Sequence, residues 1–161
     1  MDFLKAFGIE DDANKSHKQI VYSMALIYNI IYDEMPSFFQ QYDLTPGKFN
    51  ILMIIKHQGK DHGIPQVEIG KHLILTPSNM TKLIDKLEKD GLVARFALKG
   101  DRRVNIIKVT KKGSDLLGQI WESYNEKLAV LTLQISRNDQ KILSKLLLSW
   151  LKALKGDVAE D

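Results

Sequence analysis

A chain of 161 residues, 44 % of them apolar and 27 % charged, has the composition of one soluble globular domain, with room for an appended oligomerisation part. It contains no cysteine, which excludes disulfides, thiolate zinc sites and thiol redox sensing. The net charge of +3 is unevenly placed: residues 71–112 hold eleven Lys/Arg against four Asp/Glu, a local +7 that leaves −4 for the rest.

Residues 1–13, which include Glu10, Asp11 and Asp12, read as a loose arm. They show no basic stretch followed by a long apolar run, so no secretory signal is expected. Every apolar stretch further on is broken well short of the ~20 residues a bilayer span needs. The expectation is a cytoplasmic protein with no membrane partner. From His17 to Tyr42, Ile20, Met24, Ile27, Tyr28, Ile31, Met35, Phe38, Phe39 and Tyr42 recur at helical steps of three and four. Val21, Leu26 and Ile30 widen that apolar face beyond what one neighbour covers, which implies packing inside the subunit and against another chain. Pro36 predicts a kink or a break near Met35.

Thr45 followed by Pro46 is a helix start, with the threonine as N-cap and the proline at the first helical position. The helix carries Phe49, Leu52, Met53 and Ile55 and stops near Gln58 and Gly59. After a polar loop, Ile64 and Pro65 open a short helix bearing Val67, Ile69 and Leu73. Thr76 and Pro77 repeat the same start signal, and Met80, Leu83, Ile84 and Leu87 then form one buried stripe. Gly91 suits the left-handed position that ends this helix. Two strand-like runs, 92–98 and 104–109, are joined by Lys99, Gly100, Asp101, Arg102 and Arg103, a hairpin signal. Thr110 caps another helix with an apolar face from Leu116 to Ile135, and a last amphipathic helix after Asp139 carries Ile142, Leu146, Trp150 and Leu154.

A short helix, a tight turn at 74–76 and a second helix with one buried stripe make a helix-turn-helix over residues 64–90. Its second helix can enter a major groove. Outside the stripe lie Ser78, Asn79, Thr81, Lys82, Asp85 and Lys86. Hydroxyl and amide groups near a helix start suit base edges, and the lysines suit phosphates. Ser78 and Asn79 equally serve to support the helix N-terminus, next to the Thr76 cap, which is itself within reach of DNA. Lys99, Arg102 and Arg103 at a hairpin tip can reach a minor groove, where arginine is favoured. Asp101 beside them is a poor phosphate contact, and its expected role is to pair with one arginine and orient the wing. The basic segment thus points to a polyanion-binding surface, against the alternative of a solvated charged face.

The run 75–113, LTPSNMTKLIDKLEKDGLVARFALKGDRRVNIIKVTKKG, closely resembles the MarR (multiple antibiotic resistance regulator) family of bacterial transcription factors. The matching pieces are LIDKLEKDGLV in the recognition helix, DRR at residues 101–103, and Val109, Thr110 and Gly113. Helix order extends the likeness over nearly the whole chain. The resemblance implies a mainly α fold with a small β-hairpin wing. A winged helix-turn-helix lobe (44–110, wing 92–109) would lie between dimerisation helices (14–43 and 111–155), within a domain 14–155 followed by a tail 156–161. It implies a homodimer that binds double-stranded DNA with half-sites ~10 bp apart and represses transcription. Many members respond to small aromatic acids; the lining residues here would be Tyr28, Tyr32, Met35, Met53 and His57, which serve equally as plain core. The four histidines are widely spaced with no helical His-x3-His pair, so no metal site is expected, and no other cofactor. Gly70 stands where the family has a small helix former; it should cost ~1 kcal/mol of helix stability and reflect tight packing. No P-loop, dinucleotide-binding glycine pattern or nucleophile motif is present, so an enzyme is not expected. A winged helix used for protein–protein contact is the rival reading, one that has no need of paired arginines at the wing tip.

Overall fold

The computed structural model describes residues 5–8, 16–72, 77–98 and 100–156. The chain divides into two compact units, Met1–Ile120 and Trp121–Asp161. Among the described residues, six α-helices and three strands follow one another, with a 3-10 turn at Lys5–Phe7 ahead of them.

Helix α1, Ser16–Gln40, runs through Pro36 without a break, so of the kink or break expected there the break does not occur. An interior proline removes the hydrogen bond to the carbonyl four residues back and costs ~3 kcal/mol. Burial on either side of it offsets this. Met35 and Phe39 are buried, and the Phe39 ring lies 4.6 Å from that of Phe49 and 5.0 Å from that of Phe38. Each such side chain contributes roughly 1.5–3 kcal/mol. The helix stops two residues short of Tyr42 because the Leu44 and Tyr42 amides both turn back to the Phe39 carbonyl, with Asp43 at φ 52°.

Helix α2, Pro46–Gly59, starts at the expected cap: the Thr45 side chain accepts a hydrogen bond from the Lys48 amide at 3.3 Å. Phe49, Ile51, Leu52 and Ile55 are buried, so α2 is the central helix of its unit. Strand β1, Ile64–Pro65, replaces the expected helix start. Proline holds its predecessor away from the α region, and the pair instead bonds antiparallel to β3, Asp101–Val109, with Ile64 opposite Ile107. That approach depends on Gly63, at φ 78°, where a Cβ would lie 2.7 Å from the Ile107 carbonyl oxygen.

Helix α3, Gln66–Lys71, is short and buries Ile69, but Val67, expected on its apolar face, is 70 % exposed; Leu73 lies outside the described residues. Helix α4, Pro77–Lys89, buries Met80, Ile84 and Leu87, with Leu83 half-buried. It ends as expected at Gly91, φ 72°, where the Leu92 amide donates to the Leu87 carbonyl at 2.9 Å. Strand β2, Val93–Leu98, pairs antiparallel with β3, giving a sheet in the order β1-β3-β2. The register shifts between Ala97 and Leu98, so that Leu98 faces Asp101. This irregularity lets β3 begin three residues earlier than the alternation suggested, and Arg102 and Arg103 therefore belong to the strand.

Helix α5, Lys111–Leu131, begins in the first unit, where Leu117 and Ile120 complete the core. It ends before Ile135 in a turn closed by Gln140, whose Nε2 donates to the carbonyls of Thr132 and Ile135, both at 2.9 Å. Burial raises the pKa of the Tyr124 phenol on this helix. Helix α6, Arg137–Lys155, starts three residues before the expected position, inside the segment 136–139 read as its lead-in. Ser136 is its cap, accepting from the Asp139 amide at 3.2 Å. None of its residues is buried.

Candidate nucleic-acid interface

Burial of Met80, Ile84 and Leu87 fixes the roll of α4 and decides which of its side chains meet solvent. Asn79, Thr81, Lys82, Asp85, Lys86 and Lys89 are exposed. Ser78 lies in the first turn of α4 and Arg102 in β3, but their side chains, together with Thr76 and Lys99, lie outside the described residues. The outward face thus offers an amide and a hydroxyl near its start, then three lysines.

The wing adjoins this face. Thr81 and Met80 of α4, Gln66 and Val67 of α3, and Arg103, Val104 and Asn105 of β3 line one shallow cleft of about 330 Å³. Gln66 Nε2 donates to Thr81 Oγ1 at 3.2 Å, tying α3 to the first half of α4. At the hairpin, Asp101 Oδ1 accepts from the Arg103 amide at 3.0 Å and from its Nε at 3.2 Å. The carboxylate therefore holds both backbone and guanidinium of Arg103, whose side chain is otherwise 91 % exposed. Such an exposed pair adds little stability, yet it orients the arginine.

The far end of α4 is held by polar groups that sequence reasoning missed. Lys48 Nζ of α2 reaches Asp90 Oδ2 at 2.7 Å. Lys112 Nζ donates to the Asp90 carbonyl at 2.8 Å, and Thr110 Oγ1 to the Gly91 carbonyl at 2.7 Å. Arg95 of β2 was missed as well: its Nη2 lies 2.5 Å from Asp85 Oδ1 and its Nη1 3.1 Å from Glu88 Oε2. Strand alternation held the signal, because Arg95 stands two residues after the buried Val93 and so faces the helix side of the sheet.

The residues considered for an effector do not share one environment. Tyr28 and Tyr32 stack with centroids 5.8 Å apart and are each more than half exposed, Met35 is buried, Met53 is half-buried, and His57 is exposed on α2. Among the described residues no group of His, Asp or Glu is arranged to hold a metal ion, and no helix is long and apolar enough to cross a membrane.

A sequence profile described as the MarR family matches residues 44–104, the lobe just outlined. The chain is 30 % identical over 120 residues to the HTH-type transcriptional regulator MhqR of Bacillus subtilis (strain 168), covering 74 % of this chain and 81 % of that protein. The chain belongs to the MarR family. A second relative from the same organism, the HTH-type transcriptional repressor YetL, is 30 % identical over 113 residues, covering 70 % of this chain and 67 % of the other. Both are named as regulators of transcription, not as enzymes. Among solved structures, a cysteine-to-serine mutant of MarR from E. coli complexed with operator DNA matches with a TM-score of 0.74 at 21 % identity, over 88 % of this chain and 99 % of that one. The S. aureus MepR–DNA complex matches with a TM-score of 0.70 at 23 % identity, over 83 % and 96 %. Those likenesses establish the fold of this MarR-family chain as a winged helix.

Proposed function

We propose that this MarR-family protein is a sequence-specific, double-stranded DNA-binding regulator of transcription that acts in the cytoplasm as a homodimer, repressing from a pseudo-palindromic site until a small effector relieves it. The observation that carries the reading is the exposed face of α4, with Asn79, Thr81, Lys82 and Lys86, bordered by a wing whose Arg103 is oriented by Asp101. Helix α4 enters a major groove with its first turns toward base edges, where Thr76, Ser78, Asn79 and Thr81 are the readers. Lys82 and Lys86 neutralise phosphates. The wing, through Lys99, Arg102 and Arg103, reaches the adjoining minor groove. The operator complexes solved for relatives of the same fold support this docking.

Selection of bound duplexes from a random pool tests the reading. A MarR-family regulator of this kind enriches an inverted repeat with half-sites ~10 bp apart. Gel-shift titration of the enriched duplex then tests the wing: Arg102→Ala and Arg103→Ala each weaken binding and lower its salt slope by about 1. Unchanged affinity in the double variant removes the wing from the interface, and a pool that yields no motif removes sequence-specific binding.

A further inference from the structure

Helix α4 carries Lys82, Lys86 and Lys89, but also two acids, Asp85 and Glu88, within thirteen residues. Asp85 is the one out of place. At 3.6 residues per turn it falls one turn beyond Thr81 and Lys82, on the face offered to DNA. Its side chain is 54 % exposed, so nothing hides it by burial. A carboxylate there repels the phosphate that Lys82 and Lys86 would attract. Glu88 follows one turn later, 38 % exposed.

Arg95 meets both. Its guanidinium crosses from β2 to α4, one terminal nitrogen on each carboxylate, while its own side chain is only 25 % exposed. Its Nε is buried and has no hydrogen-bond partner among the described residues, so the polar contacts of this group are spent at its tip. Arginine suits this geometry, because its planar fork places one terminal nitrogen on each of two acids. We infer that Arg95 is a positioning residue for DNA reading, one that withdraws the carboxylates of Asp85 and Glu88 from the phosphate-facing surface of α4. It does so without touching DNA itself. The inference rests on the docking of α4 given under the proposed function.

A structural staple between β2 and α4 makes the same contacts, so the test separates charge from fastening. Binding of the duplex enriched from the random pool is measured by fluorescence anisotropy over a salt series. The proteins compared are the unmodified chain, Arg95→Gln, the pair Asp85→Asn with Glu88→Gln, and the triple variant. Arg95→Gln is expected to bind ~10-fold more weakly, with a shallower salt slope, because two acids are left facing phosphate. The triple variant returns to within ~3-fold of the unmodified chain and recovers its slope, since the acids are gone too. The pair alone binds severalfold tighter, and it decides the matter if Arg95→Gln fails to fold. Equal binding by Arg95→Gln, a triple variant no better than the single one, or a pair that binds more weakly than the unmodified chain would each overturn the inference. An unmodified chain that binds no duplex overturns the docking of α4 itself, a result distinct from these three.

Discussion

A methyl group added at Gly113 would clash with the Leu92 carbonyl oxygen and sit 2.9 Å from Val109 Cγ1, so the first turn of α5 approaches the Leu92 backbone and the end of β3 only through a glycine. At Gly70 the same addition would meet Met80 Sδ at 3.5 Å, an ordinary contact. The sequence suggested tight packing at Gly70; Gly113, like Gly63, is tight and Gly70 is not. Two substitutions of identical chemistry should therefore differ in sign. Gly113→Ala is expected to destabilise by ~2–3 kcal/mol, because backbone must move to admit the methyl. Gly70→Ala is expected to stabilise by ~0.5–1 kcal/mol, since α3 loses a flexible residue without a clash. Urea denaturation of the two variants measures both, and a Gly70→Ala protein less stable than the parent contradicts the contact geometry.

At the scale of elements, one hydroxyl joins the reading helix to the helix that follows the wing. Thr110 Oγ1 donates to the Gly91 carbonyl at the end of α4 and accepts from the Gly113 amide at the start of α5, at 3.1 Å. Thr110→Val keeps the shape and removes both bonds, with an expected loss of ~1–2 kcal/mol; Thr110→Ser retains most of it. Thermal melting of the pair distinguishes them. Helix starts were legible where a hydroxyl cap satisfies local amides and needs no distant partner, as Thr45 does before α2 and Thr110 before α5. Ends and breaks were less so. Pro36 is a helix breaker by local rules, yet the burial of Met35 and of Phe39, whose ring packs on Phe49 of α2, offsets its cost, and that partner is invisible to periodicity. Strand β1 was missed for the same reason: two residues have no period of their own, and Ile64 is a strand only because Ile107 lies opposite it.

For the molecule as a whole, the single chain leaves a large apolar surface in water. Ile20, Val21, Ile27 and Ile30 of α1 are each about half exposed or more, and so are Leu146, Leu151 and Leu154 of α6. Soluble monomers rarely tolerate apolar area on that scale, which supports the proposed homodimer as its cover. Light scattering at micromolar concentration is expected to give twice the chain mass, and Leu151→Glu with Leu154→Glu is expected to shift it toward one chain. A single-chain mass for the unmodified protein excludes the dimer. The wide apolar face of α1 had already implied two partners on periodicity alone, and α6, with no buried residue, points to a further partner from exposure.

The sequence by itself determined the family, the order of the helices, the Thr45 and Thr110 caps and the basic stretch from residue 71 to 112, because caps, period and charge are properties of neighbours along the chain. It also placed Asn79, Thr81, Lys82 and Lys86 outside the buried stripe of α4. Only the tertiary structure decided what crosses between elements. It moved Arg102 and Arg103 from a loop into β3, kept α1 whole through Pro36, paired Ile64 with Ile107, and set Arg95 against Asp85 and Glu88. Each of those rests on a partner in another element, and long-range pairing energy has no signature in local periodicity.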